Sequence, residues 1–233
     1  MNRALYVVHR WLGLVVAAQL LAWSLGGLMF SLLDIDDVHG DRDRVEQVPL
    51  VIPRGDFVAV ERELRDIDNA TRATLVHRRG SWVWQVDVAD GAQRLFSVKD
   101  ATELVRVDED EARRIALADV RGARAAVEAT LFESDPPLEY REKPLPAWRV
   151  VVDHDKAIHV YVHAVTGEVT ARRNAKWRLF DFFWMLHVMD YSEREDFQHP
   201  LLTTFAVLAV LASMSGLVLW GTRAVRRARR KPA

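Results

Sequence analysis

Histidine is the residue type whose placement in this chain asks for a chemical explanation. There are eight among 233 residues, and there is no cysteine. An imidazole can take or give a proton near neutral pH, and its neutral nitrogen is a metal ligand. His187 lies in "FDFFWMLHVMDY", where Phe180, Phe183, Trp184 and His187 fall at i, i+3, i+4 and i+7, one face of a helix. His199 immediately precedes Pro200, where a long apolar run begins, and His9 stands just before the other such run. The remaining five carry weaker signals. His39 sits in the acidic stretch "DDVHGDRD", and His77, His154, His159 and His163 lie in or beside alternating, strand-like segments. "HDKAIHVYVH" puts His159, Tyr161 and His163 on one strand face, but no carboxylate stands at a metal-ligand spacing from them.

Other chemistries are poorly served. The serines stand in ordinary settings, no cysteine can act as nucleophile, and no glycine-rich phosphate loop occurs. The sequence supplies no catalytic residue set beyond what its histidines could do.

The elements that position these histidines follow from charge segregation. Net charge is −1 and 28% of residues are charged, yet residues 11–33 and 200–222 contain no charge at all. Each run is long enough to cross a hydrocarbon core of roughly 30 Å as a helix. The first is too long, and its "SLLDIDD" exit too acidic, for a cleaved signal peptide. Arg3 and Arg10 precede the first run, and Arg223, Arg226, Arg227, Arg229, Arg230 and Lys231 follow the second. By the lysine and arginine bias both termini are expected in the cytoplasm and the middle on the other side. The basic tail reads as a topology signal, and no nucleic-acid partner is expected.

The middle alternates between helical and strand-like patterns. After a linker with Pro49 and Pro53, residues 55–68 are predicted helical, and "RATLVHRRGSWVWQVDVADGAQRLFSVK" is predicted to form strands with turns at "RRGS" and "ADG". A second round begins with Asp108 as helix cap and Glu111 at the capping-box position, with the helix ended by Gly122. Strands are expected at about 125–133, 147–153 and 157–163, with "TGE" at 166–168 as the next turn. The chain is thus expected to be an α+β protein in which two helix-plus-antiparallel-sheet units, a candidate duplication, lie between two transmembrane helices. The expected divisions are 1–10 as N-terminus, 11–33 as first span, 34–174 as the sheet domain, 175–199 as an interfacial aromatic helix and loop, 200–222 as second span, and 223–233 as tail.

The second round, "DEDEARRIALADVRG…WRVVVDH…IHVYVHAVTGEV", resembles the PepSY domain, with its "EA..IA" helix and terminal "TGEv" hairpin. "HRWLGL" at 9–14 and "WMLHVMDY" with "HPLL" are similar to PepSY-associated transmembrane proteins. This chain has two spans where larger members have more. The resemblance implies a bacterial inner-membrane protein with a periplasmic central domain, and its relatives divide in function. One branch inhibits or chaperones peptidases. The other is linked to iron uptake and includes b-type haem proteins that reduce ferric siderophores.

On the haem reading, His9, His187 and His199 are the candidate iron ligands, with Phe183 and Trp184 as the aromatic wall of a haem b site. Asp190 is the candidate to orient a ligating imidazole. His9, Gly13, Ala17, Leu20, Ser24 and Gly27 form a stripe matched by Ala206, Ala209, Ser213 and Gly216, which serves helix packing equally well. His9 has no second histidine at its depth, so this reading favours a homodimer. A ferric siderophore or an iron-handling periplasmic partner is the expected electron acceptor. The competing reading is a cofactor-free, membrane-anchored module that binds a peptidase or other partner, its histidines resting at the water line.

Overall fold

The computed structural model describes residues 3–46, 67 and 69–228. The chain divides into a helical unit, 1–34 with 179–233, and a sheet unit, 35–178. The linker prolines and all of the helix expected at 55–68 except Ile67 lie outside the described residues.

In the helical unit, α1 (Arg3–Leu32) packs against the last helix, α5 (Pro200–Ala228). Their apolar segments, Tyr6–Leu32 and Pro200–Arg226, are each 27 residues, roughly 40 Å at 1.5 Å per residue. Leu14, Leu21, Leu28 and Leu32 on α1 and Val210, Leu217 and Trp220 on α5 are exposed. So much outward-facing apolar surface suits hydrocarbon and not water.

The packed faces match the expected small-residue stripes only in part: Gly216 lies against His9, and the rest diverges. Val16 on α1 and Ala212 and Leu219 on α5 are buried, while Ala17, Leu20, Ser24, Gly27, Ala206 and Ser213 are exposed. The inward face of α1 turns progressively toward Gln19, Trp23, Gly26 and Phe30, because its second half packs on an aromatic helix as well as on α5. Gln19 and Trp23, which donate to carbonyls of that aromatic helix, set this face together with Phe30 and Gly26.

The sheet unit opens with a short helix, α2 (Ile35–His39). A three-stranded antiparallel meander follows: β1 (Ala70–Arg78), β2 (Ser81–Val88) and β3 (Gln93–Ser97). The two-residue turn Arg79-Gly80 has φ of 54° and 76°, the left-handed pair that a tight hairpin requires. After β3 an isolated bridge joins Phe96 to Glu103. Then comes α3 (Glu109–Asp119), followed by a four-stranded meander of β4 (Ala126–Phe132), β5 (Ala147–Val152), β6 (Ile158–His163) and β7 (Val169–Arg173). The fourth strand, β7, goes beyond the three expected. Its counterpart in the first sheet is the single Phe96–Glu103 bridge, so the two rounds share a pattern without matching in length.

Asp108 caps α3 by accepting a 2.8 Å bond from the Glu111 amide. The expected capping box is half made, because the Glu111 carboxylate is engaged by Arg79 instead. Ala112 and Ala116 on α3 lie against Val150, Val160 and Val162, all fully buried. Burying each such valine stabilises by roughly 1.5–3 kcal/mol, which fixes α3 on this sheet. Gly167 in the β6–β7 turn has φ 68°, and a Cβ there would stand 2.6 Å from Arg79 Cγ. Glycine is required twice over: for the backbone, and to let Arg79 pass to Glu111.

Candidate functional site

The aromatic helix forms as expected. α4 (Ala175–Val188) begins at Asn174, whose Oδ1 accepts from the Trp177 amide at 2.8 Å, the N-cap bond that satisfies an orphan donor. Its far end leaves orphan carbonyls, which α1 meets. Gln19 Nε2 donates to Leu186 O at 3.0 Å and Trp23 Nε1 donates to His187 O at 2.9 Å. Met189, at φ 57°, closes the helix with its amide on Met185 O. Two polar side chains of an apolar helix thereby cap a second helix, which fixes the position of His187.

The His187 ring sits among aromatics. Phe30 meets it edge-on at 5.8 Å between centroids, Trp184 lies parallel within 14° at 6.5 Å, and Trp23 is tilted at 6.3 Å. Phe180 stacks on Trp184, Phe197 meets Trp184 edge-on, and Phe183 packs edge-on against Phe182. Gly26 lies beneath: a Cβ there would be 3.9 Å from His187 Nδ1 and 3.7 Å from Phe183 O. That Nδ1 is buried and has no hydrogen-bond partner among the described residues. A buried, unmet ring nitrogen costs about 1–3 kcal/mol, so it calls for an explanation.

His9 is treated differently. Its Nδ1 lies 2.6 Å from Ser215 Oγ, and Ser215 donates its hydroxyl proton to Ala212 O at 2.8 Å. With that proton on Ala212 O, Ser215 accepts from His9 and the lone pair of the neutral ring lies on Nε2; turned to His9 instead, the hydroxyl reverses the tautomer. Gly216 gives this ring its space, since a Cβ there would stand 3.4 Å from His9 Cε1. His9 and the Gly26 floor of His187 are seventeen residues apart on one helix, roughly 25 Å. The two imidazoles therefore mark two places, one toward each end of α1.

His199 is occupied in capping α5. Its carbonyl accepts from the Thr203 amide at 3.2 Å and its Nδ1 from the Leu201 amide at 3.3 Å, with Pro200 as first helical residue. In the neutral ring this leaves the proton on Nε2. No hydrogen bond or ring contact among the described residues joins His199 to His187.

Asp190 has a task other than orienting an imidazole. It is buried, and its two oxygens accept from the amides of Ser192, Glu193, Glu195 and Asp196 and from the Ser192 hydroxyl. The Ser192 hydroxyl and these amides hold its carboxyl well below the usual carboxylate range. It organises the loop before α5, which Arg194 ties to buried Asp181 and Trp184 ties through a 2.9 Å bond to Arg194 O.

The other histidines belong to the sheet unit. His159 and Tyr161 converge on Glu139, at 2.5 and 2.7 Å, and Arg178 reaches the same carboxylate at 3.1 Å. Burial alone would raise the Glu139 carboxyl. The bonds from His159 and Tyr161 and the charges of His159 and Arg178 outweigh it and hold the pKa at about 2. His163 is buried at the β6–β7 turn, its Nδ1 2.9 Å from Thr166 Oγ1, and burial lowers its pKa. His154 Nδ1 accepts from the Lys156 amide at 3.2 Å, and His77 packs edge-on against Trp82. Among the described residues no three histidine or acidic side chains come together to hold a bare metal ion.

Gln19, Trp23 and Ser215, which support the histidines, were not singled out by sequence reasoning. A signal was available: a polar side chain inside an uncharged span must find a partner.

A family model described as the PepSY-associated TM region matches residues 6–233. No curated protein and no solved structure matches the chain.

Proposed function

The chain belongs to the family of the PepSY-associated TM region, and from that premise we propose that this membrane protein carries haem b and passes electrons across the bacterial inner membrane to a periplasmic acceptor. The observation that carries this reading is a pair of imidazoles toward opposite ends of α1, each with a ring nitrogen that meets no hydrogen-bond partner among the described residues. His187 offers Nδ1, enclosed by aromatic rings above Gly26. His9 offers Nε2, with Ser215 held at its Nδ1 and its space made by Gly216.

A bound haem would supply one-electron redox chemistry, tuned by its axial ligands and surroundings. The chain's own residues do the holding. His9 and His187 would hold it, Ser215 fixes the orientation of His9, and Gln19 and Trp23 fix α4 so that His187 cannot swing away. Phe183 and Trp184 keep water from the His187 end. A second ligand at the His9 end comes from the other subunit of a homodimer. At the His187 end it comes from the same source, or from His199 once its ring leaves the α5 cap. The lysine and arginine bias, Arg3 and Arg10 at one end and Arg223 to Lys231 at the other, supports cytoplasmic termini and a periplasmic sheet unit. Ferric iron, free or held by a siderophore, is the acceptor class.

The aromatic packing around His187 and the cap made by His199 are each complete without a cofactor, which favours a second reading. In it the chain is a membrane-anchored PepSY module that binds a peptidase or other partner. A reduced-minus-oxidised visible spectrum and a pyridine haemochrome assay on protein expressed with ample haem decide between the two. Stoichiometric haem with a b-type α-band, lost in His187→Ala and reduced in His9→Ala, is the expected result. A colourless wild-type protein overturns the haem reading and leaves the partner-binding one.

A further inference from the structure

The sheet unit contains a cleft of 540 Å³ bounded by the β1–β2 hairpin tip, one side of α3, the start of β7 and Arg44. Its volume lies within the range of small-molecule sites, roughly 300–1,000 Å³. Five arginines line it against three carboxylates. Three of the arginines are matched: Arg79 grips Glu111, Arg172 grips Asp119, and Arg78 reaches Glu168 at 3.0 Å. Arg44 and Arg114 are not, since neither side chain has an acidic or hydrogen-bonding partner among the described residues, and both are exposed at the cleft. Arg78 also keeps a buried Nε without a partner. Two guanidinium charges and one buried donor are thus in surplus around a concave surface, where low-dielectric walls concentrate the field.

We infer that this cleft binds a small organic polycarboxylate through Arg44 and Arg114. Three features select that class. The wall arginines already show the matching chemistry: Arg79 and Arg172 each use Nε and Nη2 on the two oxygens of one carboxylate. This fork geometry pairs with planar oxyanions. The space is far larger than one phosphate needs. Ile115, Ala118 and Val169 line it as well, giving a carbon skeleton apolar surface to lie on. The fixed pairs hold the walls, and the two unmatched arginines take the ligand. The inference stands apart from the haem reading, because every residue it uses belongs to the sheet unit.

The test is isothermal titration calorimetry of the full-length, detergent-solubilised chain with citrate, triethyl citrate and inorganic phosphate. Citrate is expected to bind, with at least tenfold weakening in the Arg44→Gln/Arg114→Gln double variant at an unchanged melting temperature. Triethyl citrate, with the same skeleton and no charge, is expected to show no binding, and phosphate at least tenfold weaker binding than citrate. Raising the salt is expected to weaken wild-type citrate binding, as for exposed charges, which gives a readout that needs no variant. Absence of citrate binding, binding indifferent to salt or to the double variant, or phosphate bound as tightly as citrate would each overturn the inference.

Discussion

The sheet unit and the two spanning helices handle buried polarity in opposite ways. In the sheet unit charge is answered by charge: Arg79 with Glu111, Arg172 with Asp119, and Lys156 with Asp43 at 2.7 Å. In the spanning helices Gln19 and Trp23 donate to backbone carbonyls, and the ion pair of Arg194 with buried Asp181 stands outside the spans. The difference follows from the surroundings. A helix facing lipid can afford few ions, so neutral donors to carbonyls do the fixing. A water-facing sheet can use arginine freely and tie its elements by ion pairs. The lesson lies in what each unit leaves unmatched: guanidinium groups at a cleft in one, an imidazole nitrogen among aromatic rings in the other. Each residue of chemistry points to a different kind of ligand.

The contrast can be broken at its strongest point first. Asp119 and Arg172 have side chains only 8% and 11% exposed, so Asp119→Ala leaves a guanidinium stranded. The expected loss is roughly 3–5 kcal/mol, read as a large fall in the denaturation midpoint of the sheet unit. A change under about 1 kcal/mol would mean that ion pairs do not hold this unit together.

Acid titration gives the next largest effect. Glu139 is held at about 2 from an ordinary value of 4.5, so its stabilisation is complete above pH 4.5 and falls away as the pH drops toward 2. On the order of 2 kcal/mol is at stake after solvent screening. Thermal melts across that window should show a loss that Glu139→Gln abolishes, since the amide no longer titrates. An unchanged acid limb in the variant would remove Glu139 from the account.

The smallest effect belongs to the helical unit. Trp23→Phe keeps the ring and removes the donor to His187 O. The expected cost is about 1 kcal/mol, in line with single hydrogen bonds in membrane proteins. Its sharper readout is local: amide hydrogen exchange at the α4 C-terminus should speed up while the sheet unit is unaffected. If both units respond equally, the division drawn between them is wrong.

Much of this architecture could be read from the chain. The uncharged runs gave the two spans, "RRGS" and "ADG" gave the hairpins, and Asp108 gave the α3 cap, because each is a local matter of transfer energy, left-handed turns or an orphan amide. The Glu111 half of the capping box failed for a non-local reason: Arg79, thirty-two residues earlier, competes for the carboxylate. The small-residue stripe of α1 failed similarly. Periodicity describes a helix against one neighbour, and α1 has two.

The histidines divide along the same line. Sequence alone determined that His9, His187 and His199 stand at the ends of apolar helices, since hydrophobic length and proline placement are properties of the chain. Only the tertiary structure decided what each ring does. Ser215 meets the Nδ1 of His9, the turn onto α5 gives His199 a cap, and Gln19 and Trp23 hold His187 among aromatic rings with one nitrogen unmet. Those outcomes depend on partners far away in sequence. Which nitrogen of an imidazole carries the proton is set by the group that packing brings beside it.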